Sequence, residues 1–100
     1  MLNEKVVNTI LSQLGGQGKL QAMLGAFYFV ADGCELTFKY KMKGKMGNCI
    51  QVSLSPDDTY TMKFWQIRGS KANLLKELSG LMAEQLRSSF TMNTGLDLSL

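Results

Sequence analysis

The chain has 100 residues, 45% of them hydrophobic, with one Pro, no His, and 11 Lys and Arg against 8 Asp and Glu. This is the size and composition of one globular domain, residues 1–100, with a single core, and not of a disordered linker. Its apolar runs fall far short of the roughly 20 residues that span a bilayer, and Met1-Leu2-Asn3-Glu4-Lys5 opens no signal peptide, so a cytoplasmic protein without a membrane partner is expected.

Leu2, Val6, Val7, Ile10, Leu11 and Leu14 recur at spacings of three and four, which predicts an amphipathic helix over about 2–14. Gly15-Gly16 supplies its left-handed stop. Lys19 to Leu24 reads as a second, short helical segment before Gly25. The Gly-rich connector between them is no phosphate loop, since Gln13 and Leu20 stand where that motif needs Gly and Ser or Thr.

Phe27 to Lys41 (FYFVADGCELTFKYK) alternates on either side of Asp32-Gly33, a strong signal for a two-residue hairpin turn. That turn predicts the pairs Ala31–Cys34, Phe29–Leu36 and Phe27–Phe38 on one face, continued by Tyr40. Tyr28, Val30, Glu35, Thr37, Lys39 and Lys41 then occupy the other, wetter face. Met42 to Asn48 is a Lys-rich loop, and Ile50, Val52 and Leu54 mark a third strand. Ser55-Pro56-Asp57-Asp58 is a turn. A fourth strand, Thr59 to Arg68, turns Tyr60, Met62 and Phe64 inward if the loop before it has three or five residues.

Ser70 reads as an N-cap for a long C-terminal helix carrying Leu74, Leu75, Leu78, Leu81, Met82, Leu86 and Phe90 on one stripe. Gly80 within it suggests close approach to the sheet, and Thr94-Gly95 ends it. Leu96, Leu98 and Leu100 alternate in the tail, as a short strand or an apolar arm. The expected fold is α+β: a four-stranded antiparallel meander with the N-terminal helix, the short second segment and the long C-terminal helix packed on one face.

No catalytic constellation stands out. Without His, acid–base work would fall to dispersed carboxylates, Lys or Cys, and Cys34 and Cys49 are too far apart along a meander for a disulfide. Two free thiols, no metal site, no cofactor and no enzymatic activity are expected. The functional signal is the solvent face of the sheet: Tyr28, Lys39, Lys41, Lys63 and Trp65, with Lys43 and Lys45 in the adjoining loop. Aromatic rings among cations suit single-stranded DNA or RNA, because bases stack on rings while Lys neutralises phosphate. Exposed Tyr28, Val30, Trp65 and Ile67 equally suit a protein interface, so the alternative is a protein-interaction module: a homodimer, or an inhibitor of a host or defence protein.

Two resemblances bear on this. Arg68-Gly69-Ser70-Lys71, at the head of the predicted last helix, is faintly similar to the double-stranded-RNA-binding domain, where Lys at that position meets phosphate. More extensively, Thr9, Ile10, Gln13, Leu14, Gly15 and Gly16, then Met23, Gly25, Ala26, Phe29 and Val30, then Asp58, Thr59, Tyr60 and Phe64, and finally Thr94 and Gly95 follow a pattern T-I-x-x-Q-L-G-G … M-x-G-A-x-x-F-V … D-T-Y-x-x-x-F … T-G. In this the chain resembles a family of small uncharacterised phage, prophage and mobile-element proteins. The resemblance implies a shared fold, a mobile-element origin and residence in a host cell's cytoplasm, and brings no catalytic residues with it.

Overall fold

A computed structural model describes residues 3–41 and 47–95, apart from the side chain of Met23. Lys43, Lys45 and the Leu96, Leu98 and Leu100 tail lie outside the described residues. The order of elements is α1 (Glu4–Gln13), α2 (Gln17–Leu24), β1 (Phe27–Asp32), β2 (Glu35–Lys39), β3 (Cys49–Leu54), β4 (Tyr60–Arg68), β5 (Lys71–Leu81), a 3₁₀ turn (Ala83–Gln85) and α3 (Leu86–Thr94). The fold is α+β, with one antiparallel five-stranded sheet in the order β1-β2-β3-β4-β5. Among the described residues no helix is long and apolar enough to cross a membrane.

The Asn3 side chain caps α1 by accepting from the Val6 amide at 3.2 Å. The Asn3 amide donates to the Gly33 carbonyl at 2.8 Å, pinning the start of the helix to the β1–β2 turn. Val7, Ile10 and Leu14 are buried, with Val6 and Leu11 packed beside them. Gly25, at φ +65°, closes α2 in the left-handed conformation. The Lys41 amide then donates to the Leu24 carbonyl at 3.0 Å and so fixes the chain just past β2.

Leu36 and Phe38 of β2, Ile50 and Val52 of β3, and Met62 and Phe64 of β4 stand opposite one another in register. With Tyr40, Tyr60, Leu20, Leu24, Leu86 and Phe90 they form the core between the sheet and the helices. Leu54 pairs with Tyr60 across a five-residue loop, the odd length that alternation requires.

Two expectations are corrected. The sheet has five strands, not four, because Lys71–Leu81 is β5 and not the first half of a long C-terminal helix. Arg68 pairs with Lys71, so Gly69-Ser70 is a two-residue hairpin turn with Gly69 at φ +59°, and Ser70 caps no helix. The helical spacing of the leucines is produced by two bulges. Leu75 is an extra residue between the Phe64–Lys76 and Trp65–Leu74 pairs, and Ser79-Gly80 together oppose Thr61. Each bulge shifts the two-residue period by one, so Leu78 and Leu81 reach the core side three residues apart. The resemblance to the start of a double-stranded-RNA-binding helix falls with the helix.

The first hairpin also turns one residue later than expected. Gly33-Cys34 is the loop, Asp32 pairs with Glu35 and Ala31 with Leu36. A bulge then sets both Tyr28 and Phe29 opposite Phe38, so Phe29 stacks on Phe38 with ring centroids 5.0 Å apart. Phe27 pairs with Lys39, not Phe38. Ala31 is left exposed at the sheet edge.

Candidate functional site

The helices cover one face of the sheet. On the other, cross-strand pairing builds rows of side chains. One row runs Lys39, Cys49, Trp65, Leu74, and the next runs Thr37, Gln51, Lys63, Glu77. The sequence therefore places Lys39, Lys63 and Trp65 correctly on a common face, but the neighbours of each decide what it can do.

Trp65 is half-buried and held in place. Its indole Nε1–H donates to Gln51 Oε1 at 3.1 Å, and Gln51 Nε2–H donates to Glu35 Oε1 at 2.6 Å. This chain crosses β4, β3 and β2 and fixes the plane of the ring. Beside it lies a shallow apolar depression of about 210 Å³, lined by Thr37, Cys49, Gln51, Trp65, Ile67 and Ala72. Asn48 holds the Ile67 backbone with two hydrogen bonds: its Nδ2–H donates to the carbonyl at 2.9 Å, and its Oδ1 accepts from the amide at 2.8 Å. Gly47 just before it sits at φ +78°, where a Cβ would come within 2.2 Å of the Trp65 carbonyl oxygen; only glycine fits.

Cys49 forms the floor of that depression and is 2% exposed. Burial pushes its thiol pKa up, against a smaller downward pull from the Lys39 ammonium. It is therefore a protonated thiol at neutral pH, the opposite of an activated nucleophile. Both cysteines are free. Asp57, in the β3–β4 loop, has its carboxylate engaged by the Thr59 hydroxyl at 2.7 Å and amide at 3.2 Å, which lowers its pKa.

Tyr28 stands apart. It is 70% exposed and sits in the β1 bulge at φ +54°, a conformation rarely taken by a bulky side chain. The Lys39 ammonium lies 5.4 Å from the centre of its ring, and the Lys41 ammonium 5.7 Å from that of Phe27. The two rings are themselves 5.0 Å apart, tilted by 54°. Tyr28, Lys39 and Lys41 thus come together at one corner, whereas Lys63 and Trp65 lie two strands away from Lys39 with Cys49 and Gln51 between. Lys63 faces Glu77, so the centre of the face carries balanced charge.

Sequence reasoning missed Leu74 and Ala72, which a helical reading took off the sheet, and Gln51, whose role shows only once Trp65 is seen in the adjoining row. Exposed Leu74, 45% accessible, now borders Trp65. No family model, curated protein or solved structure matches this chain.

Proposed function

We propose that this chain is a non-enzymatic, phage- or mobile-element-type binding domain that contacts single-stranded nucleic acid through the Tyr28–Lys39–Lys41 corner of its open sheet face. The observation that carries this reading is Tyr28: an aromatic ring held out of the sheet at positive φ, 70% exposed, with a lysine ammonium at its face. A left-handed backbone costs an ordinary residue about 1–2 kcal/mol, and a bulge that displays a ring at that cost suits a surface selected for contact. A base stacked on Tyr28 leaves Lys39 and Lys41 beside its phosphates.

Fluorescence anisotropy with a labelled single-stranded oligonucleotide tests it. If three phosphates are contacted, affinity falls about twentyfold on a fourfold rise in salt. Tyr28→Asn, which removes the ring but tolerates the backbone conformation, weakens binding by about five- to 150-fold, since a stacked base contributes about 1–3 kcal/mol. Lys39→Glu with Lys41→Glu abolishes it. No binding of DNA or RNA at low salt overturns the reading.

The second reading, a protein-interaction module, is favoured by a different observation: Leu74 stands exposed beside the depression at Trp65.

A further inference from the structure

We infer that the β4–β5 half of the open face is a contact surface for a second copy of this chain. The inference rests on the protein-interaction reading and is independent of nucleic-acid binding at the Tyr28 corner.

This half of the face is self-complementary. Three cross-strand pairs put their side chains on the open side of β4 and β5: Lys63 with Glu77, Trp65 with Leu74, and Ile67 with Ala72. A second copy laid face to face, about a twofold axis in the plane of contact and running between β4 and β5, exchanges the two columns. Lys63 then meets Glu77 of the other copy, and Glu77 meets its Lys63. Trp65 meets Leu74, and Ile67 meets Ala72. Every charge finds its opposite and every apolar group an apolar one, as a twofold interface between like patches requires.

Shape agrees with charge. Leu74 is exposed, and the depression of about 210 Å³ lies against Trp65, so the leucine of one copy seats over the hollow of the other. The face also suits a like partner better than a polyanion. Among the described residues it carries Lys39 and Lys63 against Asp32, Glu35 and Glu77, and Lys41 adds positive charge at the far corner.

Sheet extension is the poorer route to association. Both edge strands, β1 and β5, are bulged, and bulges disrupt the flat ladder on which another strand would pair. The offset geometry covers β4 and β5 while leaving β1 and β2 open. A contact two strands wide belongs with interfaces below about 1,200 Å² in total, so the dimer dissociates on dilution.

Light scattering across a concentration series, from micromolar to submillimolar protein, reads the proposal. The natural chain shifts from monomer mass to dimer mass. Lys63→Glu and Glu77→Lys, singly, place like charges in contact and weaken the dimer by about tenfold or more. The double variant Lys63→Glu/Glu77→Lys restores both pairings, within and between chains, and returns the dimer to its original strength. Leu74→Lys, at an exposed position, keeps the thermal midpoint and loses the dimer. Monomer mass at every concentration, or a double variant that stays as weak as the singles, overturns the proposal. Oligonucleotide anisotropy of the Leu74→Lys variant keeps the two readings distinct, because binding at the Tyr28 corner persists when the dimer is lost.

Discussion

Tyr28 and Cys49 show how the same sheet face hosts opposite solutions two strands apart. Tyr28 gives up backbone comfort for exposure, and its lysine neighbour lies at the ring face, worth about 0.5–1 kcal/mol at an exposed site. Cys49 is buried under Trp65 and Gln51 and stays protonated. Burial likewise pushes the Tyr40 hydroxyl up to about 12. Both groups hold their protons in the folded state at pH values where the unfolded chain releases them. Their contribution to stability is complete below the ordinary thiol value of 9.0 and is lost as pH rises through it towards the folded values. The thermal midpoint therefore falls on titration from about pH 8 to about pH 11, and Cys49→Ala makes the first part of that fall shallower. A midpoint equally steep in the variant contradicts the placement of Cys49. Alternation alone put Tyr28 on the open side; its strained φ was not legible, because a bulge depends on how β1 meets β2 and leaves no local mark.

At the scale of elements, β5 carries the lesson. Lys71–Leu81 is rich in Leu and Lys, good helix formers, yet it is a strand because the Gly69-Ser70 turn delivers it to the free edge of β4. The turn was readable as Gly-Ser between two apolar runs, and propensity lost to pairing. The two N-terminal helices, the Thr94-Gly95 end of the last one, the core of β2 to β4 and the odd loop before β4 were legible, since their periods run unbroken. The bulged segments were not, since each extra residue corrupts the period on which the reading depends. Gly80 distinguishes the two structures by sign. In a helix Gly80→Ala would stabilise by about 1 kcal/mol. Here Gly80 has φ +70° with nothing within 4 Å of a Cβ, so the substitution costs about 1–2 kcal/mol through the backbone alone. Urea unfolding of this one variant decides between them; stabilisation would return 71–81 to a helix.

The whole molecule is a sheet with one committed face and one open face. The helices close over Leu36, Phe38, Ile50, Val52, Met62 and Phe64, and both sheet edges are interrupted by bulges. What remains available is the open face, divided by its own chemistry into a basic aromatic corner at β1–β2 and a neutral, apolar-centred half at β4–β5. The proposed nucleic-acid contact falls on the first and the proposed self-association on the second. Backbone amide shifts on titration with a single-stranded oligonucleotide at low salt test the first assignment most directly. The shifts are expected to gather at Phe27–Val30, Lys39 and Lys41 and to vanish as salt is raised. An unchanged spectrum, or shifts gathered on α1 and α3, would contradict it.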